Sequence, residues 1–182
     1  GDVRFGFEIP AAALRDIPYP PVTAVFFGFR QYPLGAPPEG FGFLVPRVEQ
    51  RKILGTLWNS SAYPGRAPAG GAAFTTYIGG RRQPEITEWD DDRLIEAVRD
   101  ELRDLMGIET APDEVILRRW ERAIPQYVMG HPQVMSDLDA VEQAQPGLFL
   151  GGNFRGGISV GDCVSRASEA ARKIADLLPS GS

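Results

Sequence analysis

Four short apolar runs between residues 22 and 78 are separated by gaps of hairpin length, which points to an antiparallel sheet. Val22 to Phe29 is β-branched and aromatic and reads as a buried strand. Phe41 to Pro46 reads as a second strand, stopped by its proline. Ile53 to Ser60 and Ala72 to Ile78 read as a third and a fourth. Pro33 to Glu39, with three prolines and a glycine, and the Gly/Pro/Ala stretch Tyr63 to Gly71 are loops.

The period then changes. Asp90, Asp91 and Asp92 precede Leu94, Val98, Leu102 and Leu105 at helical spacing. Acidic residues suit the positive end of a helix dipole, so the run reads as a helix start rather than a metal site. Gly107 is placed to cap the other end. Val115 to Trp120 reads as a strand, His131 to Gln143 as a short helix and Leu148 to Leu150 as a short strand. Val160 to Leu178 reads as a helix with Val164, Ala167, Ala171, Ile174 and Leu178 on one face. The fold class is therefore α+β: a mixed, largely antiparallel sheet with flanking helices, closed by a C-terminal strand-loop-helix.

Composition narrows the functional classes. The 182 residues fit one domain or slightly more, and carry a net charge of −5. That charge argues against a nucleic-acid partner, which wants a clustered basic face. No run of about 18 apolar residues exists to span a bilayer, and residues 1–20 lack the pattern of a signal peptide. With one cysteine, Cys163, and one histidine, His131, neither an internal disulfide nor a thiolate metal site can form. Cys163 reads as a small apolar residue facing the core of a protein in a reducing compartment. His131 reads as a capping or surface residue, and Arg81 and Arg82 as solvated loop arginines.

The stretch Gly147 to Asp162 (GLFLGGNFRGGISVGD) combines a strand, a glycine-rich loop and a helix start. Glycines permit positive φ and close approach of backbone to a ligand. The helix start offers unpaired N–H groups and a positive dipole end, together suiting an anionic or electron-rich group. A tight turn that needs small residues only for packing is the other reading. The spacing is neither a G-x-G-x-x-G fingerprint nor a Walker loop.

This stretch resembles the second FAD-binding motif of the protoporphyrinogen oxidase family, flavoenzymes of amine-oxidase-like fold. Three further blocks match in family order: GFGFLVPRVEQRKILGTLWNSSAYPGRAP, FTTYIGGRRQPE and RRWERAIPQYVMGH. The family has an N-terminal βαβ motif for the ADP part of FAD, a helical membrane-associated domain and a substrate domain on a mixed sheet. Its chain returns at the C-terminus to close the FAD site. The resemblance implies that residues 21–145 are a partial substrate-binding domain and residues 146–182 the C-terminal FAD-binding segment. Residues 1–20 are a boundary segment, and the N-terminal βαβ motif is missing from this chain.

The resemblance also implies the chemistry: oxygen-dependent oxidation of protoporphyrinogen IX by FAD, six electrons in three two-electron steps. The expected partners are the porphyrinogen and O₂, with no nucleic acid. Alternatives are a coproporphyrinogen III oxidase of the same fold, or a non-catalytic porphyrin- or partner-binding domain derived from it. The implied cofactor contacts are Trp120, Gly152, Asn153, Gly157, Ile158, Ser159 and Val160, with Asn153 near the ribityl chain. The implied substrate contacts are Leu44, Leu57 and Tyr77, which should share one sheet face, with Phe43, Val45, Thr56, Trp58, Thr76 and Ile78 pointing away. The expected location is cytoplasmic or peripheral to the membrane, as for a bacterial enzyme.

Overall fold

A computed structural model describes residues 14–177. Five strands form one sheet: β1 (Val22–Phe29), β2 (Gly42–Leu44), β3 (Ile53–Leu57), β4 (Ala72–Gly79) and β5 (Glu114–Trp120). Their order is β2-β3-β4-β1-β5, and every neighbouring pair is antiparallel. β1 lies inside the sheet, with β4 on one edge and β5 on the other. Its alternating core residues Val25, Phe27 and Phe29 are buried on one face.

The long helix α2 (Asp91–Met106) shares that core. Asp90 caps it by accepting from the Arg93 amide at 2.8 Å, and Gly107 ends it at φ 70°, a left-handed conformation that glycine adopts freely. Leu94, Ala97, Val98 and Leu102 are buried with Val25, Phe27, Ile53, Phe74 and Ile78. Each large apolar side chain buried here contributes about 1.5–3 kcal/mol. Glu101 is also buried. It accepts from the Lys52 amide at 2.9 Å and pairs with Arg51 at 3.4 Å, tying the helix to the start of β3.

Two expected strands come out differently. The third stops at Leu57, and Asn59–Ala62 turns into a single helical turn, α1. There Asn59 Oδ1 accepts from the Thr75 hydroxyl at 2.8 Å and Ser60 Oγ from the Ala73 amide at 3.1 Å. Short polar side chains thus take over groups on β4 that a longer strand would have faced. Leu148 to Leu150 forms no strand at all. The Leu150 amide donates to Glu142 at 2.5 Å and its carbonyl accepts from Arg155 at 2.8 Å, so side chains satisfy the backbone that a ladder would have paired.

The chain divides into two compact units. Pro20–Ala123 holds the sheet and α2. The described part of the other consists of 14–19 and 124–177, and includes α3 (His131–Ala144) and α4 (Val160–Leu177). The division thus falls before Ile124, whereas the sequence reading draws its line at 145/146, and α3 joins the glycine-rich segment. No residue of α4 is buried. Its apolar stripe is exposed at Val164 and Ile174, and Cys163 is half-buried rather than set in a core. Leu178 lies outside the described residues, as do 1–13 of the expected boundary segment.

Candidate functional site

The sheet buries one face under α2 and leaves much of the other open. Directly paired residues of antiparallel strands point to the same side, so the register defines the open face row by row. One row crosses all five strands: Arg118, Ala24, Tyr77, Gly55, Leu44. The next contains Ile116, Phe26, Thr75, Leu57 and Gly42. Trp120 pairs with Val22 on the same face. Leu44, Leu57, Tyr77 and Trp120 therefore share one surface, with Leu44 86% and Trp120 41% exposed. Val45, Thr56, Thr76 and Ile78 are buried on the other side, and Phe43 and Trp58 pack against that core. Small residues, Ala24 and Gly55, flank Tyr77 in its row and leave the ring standing above its neighbours. Gly55 has no room for a larger side chain, since an added Cβ would lie 2.4 Å from the Phe43 carbonyl oxygen.

In the second unit, residues 151–159 form a loop leading into α4. Its shape is held by side chains far away in sequence. The Tyr127 hydroxyl donates to the Asn153 carbonyl at 2.8 Å and accepts from the Gly157 amide at 3.1 Å. His131 stacks on Tyr127 at 4.1 Å, and its Nε2 lies 2.9 Å from the Phe154 carbonyl oxygen. A carbonyl can only accept, so Nε2 carries the proton. His131 is 8% exposed, so it is neither a surface residue nor a cap; Gly130 occupies the cap position of α3. Arg155 closes the other side of the loop through Glu142 at 2.9 Å, through Asp139 and through the Leu150 carbonyl.

At the entry to α4, Ser159 and Asp162 cap each other. The Asp162 amide donates to Ser159 Oγ at 3.0 Å, and the Ser159 amide donates to Asp162 Oδ2 at 3.1 Å. The Ser159 hydroxyl also donates to Asp162 Oδ2, at 2.7 Å. These bonds, the hydroxyl's first, hold the Asp162 carboxyl below its ordinary value of 3.8, with Arg166 adding a smaller pull. The Ser-x-x-Asp spacing is legible in the sequence as a capping box. The Ser159 amide is therefore already committed. Val160 and Gly161 stand in the first turn, where no earlier carbonyl closes a helical bond, so their amides remain for a ligand.

The positions implied for the cofactor thus fall in two places. Trp120 stands on the sheet face, while Gly152, Asn153, Gly157, Ile158, Ser159 and Val160 form the loop and helix start. Asn153 Oδ1 accepts from Tyr19 at 3.3 Å, which leaves its amide nitrogen as the group that can face a ligand. Gly157 lies at φ 130°, and a Cβ there would sit 2.3 Å from Asp162 Cγ. Ile158 is 47% and Val160 82% exposed. Among the described residues no cluster of three or more His, Cys, Asp or Glu could hold a metal, and no helix is long and apolar enough to cross a membrane. Arg82 donates to the Val45 carbonyl at 2.7 Å rather than standing free in solvent.

The chain belongs to the flavin containing amine oxidoreductase family, which matches residues 7–175. It is 37% identical over 170 residues to protoporphyrinogen oxidase 2, chloroplastic/mitochondrial, of Arabidopsis thaliana, covering 92% of this chain and 34% of that protein. It is 28% identical over 165 residues to coproporphyrinogen III oxidase of Bacillus subtilis (strain 168), covering 90% of this chain and 35% of that protein. A crystal structure from Exiguobacterium sp. 255-15, provisionally called a protoporphyrinogen oxidase, has the same fold. Its TM-score is 0.75 at 24% identity, over 90% of this chain and 36% of that one. The chain spans about a third of the length of the curated relatives it matches.

Proposed function

We propose that this chain is the C-terminal part of an FAD-dependent, oxygen-dependent protoporphyrinogen IX oxidase. The observation that carries the reading is the open sheet face, where Leu44, Leu57, Tyr77 and Trp120 are aligned by register. Such a surface suits a flat, largely apolar macrocycle, while polar substituents reach solvent or basic groups. Tyr77 offers stacking area, and Leu44 and Leu57 offer aliphatic contact in adjoining rows. FAD, when bound, accepts electron pairs from the porphyrinogen and passes them to O₂.

The chain's own residues supply position and charge. The glycines Gly152, Gly156 and Gly157 let backbone approach the cofactor with no side chain of their own between. The free amides of Val160 and Gly161 favour negative charge at the helix start by about 0.3–1 kcal/mol. Asp162 already places one negative charge there, so this support rests on the amides rather than on the whole helix end. The reading carries a cytoplasmic or membrane-peripheral location.

The test uses the flavin-loaded protein that carries this chain, given protoporphyrinogen IX or coproporphyrinogen III in air, with porphyrin fluorescence as the readout. Faster turnover of protoporphyrinogen IX is expected. Preference for coproporphyrinogen III moves the substrate to the propionate-richer relative, and no oxidation of either by a flavin-loaded sample overturns the reading. Tyr77→Ala is expected to raise KM by removing stacking area, with a smaller effect on flavin content.

A further inference from the structure

We infer that Arg118 is the carboxylate anchor of the open sheet face, gripping a propionate of the bound porphyrinogen; the inference rests on the porphyrinogen reading above. The register sets Arg118 in the same cross-strand row as Tyr77, with Ala24 between them. Two strand spacings separate the pair by about 10 Å. A macrocycle lying on Tyr77 would therefore hold its peripheral substituents over Ala24 toward β5. Ala24, 8% exposed, places only a methyl between the two side chains.

The charges on this face single out Arg118. The positions of β5 that face this way are Glu114, Ile116, Arg118 and Trp120. Those on the other four strands are uncharged. Arg118 is the one cation among them. Glu114 lies four residues away along the strand, about 13 Å, beyond ion-pair reach. Among the described residues Arg118 makes no ion pair or hydrogen bond, and its guanidinium lies 6.0 Å from the Trp120 ring. Its neighbour Arg119 behaves oppositely. That side chain points to the other face, donates to the Trp89 carbonyl at 2.9 Å and pairs with Asp91 at 2.5 Å. A guanidinium with every donor unspent, fixed on a strand beside an aromatic surface, can take a carboxylate in a two-pronged grip.

The experiment titrates the flavin-loaded protein with protoporphyrin IX and, in the same detergent, with its dimethyl ester. The two probes share the macrocycle and differ in carboxylate charge. Arg118→Ala is expected to weaken the diacid about tenfold while leaving the diester within about twofold. Arg118→Lys is expected to recover part of the loss, because it restores charge but not the paired donors. If the diacid weakens no more than the diester in Arg118→Ala, Arg118 is only a solvated arginine and the inference is overturned, while porphyrin binding stands. If the wild-type protein binds neither probe, the porphyrinogen reading itself fails and the inference with it.

Discussion

The hydroxyl of Tyr127 bridges the Asn153 carbonyl and the Gly157 amide, so a single side chain sets the spacing of the loop proposed to meet the flavin. Tyr127→Phe keeps the stacking on His131 and removes both bonds. The expected loss is about 1 kcal/mol, or roughly fivefold in flavin affinity, read by titrating FAD into the flavin-stripped form of the full protein that carries this chain. Affinity equal to wild type would show that the loop holds its shape without the hydroxyl. Gly157 is constrained twice, by its positive φ and by the Asp162 carboxyl beside it. Gly157→Val is therefore expected to lower flavin occupancy, and also to displace Asp162 from Ser159. The penalty thus falls on the local fold as well as on the ligand side. Equal occupancy in variant and wild type would refute both.

At the scale of the element, α4 begins with a charged cap and has little else to hold it, since none of its residues is buried. The carboxyl of Asp162 is held below 3.8 in the folded chain. A depressed folded value means that the cap contributes fully above that pH and is lost as pH falls through the lowered value. Helix content followed by circular dichroism from pH 6 downward should drop on the acid side of 3.8. In Asp162→Asn that acid-side component should be missing. An unchanged acid limb in the variant would mean that the cap does not stabilise the helix. Ser159→Ala should lower helix content already at neutral pH, because it removes the hydroxyl that makes two of the three bonds between Ser159 and Asp162.

At the scale of the whole molecule, the 182 residues contain no G-x-G-x-x-G unit to hold a pyrophosphate on a helix start. The loop offers backbone approach and a few free amides, which suit the ring end of a flavin. The chain by itself is accordingly expected to bind FAD weakly or not at all. Gel filtration of the purified chain with added FAD checks this, and co-elution of stoichiometric flavin would contradict it. The apolar exposure at Leu44, Val160 and Met129 belongs to the same scale. These side chains are large and uncovered, as expected of surfaces that meet a ligand or another protein segment.

Hydrophobic period and punctuation are local properties, and they were legible in the sequence. β1, β4 and β5 and the capped ends of α2 lie where the pattern puts them, within a residue or so. Strand alternation likewise places Leu44, Leu57 and Tyr77 on one face, because a period of two leaves no other choice once the register is set. The tertiary structure decided what depended on distant partners. It ended β3 at Leu57, where Asn59 and Ser60 bond to β4, and it unmade the strand at Leu148 to Leu150 by giving its backbone to Glu142 and Arg155. It turned His131 inward onto Tyr127 and the loop carbonyl of Phe154, a partner 23 residues away. It also put Arg118 in line with Tyr77 through a strand order that no local period encodes, because that order follows from which edges pair across the whole sheet.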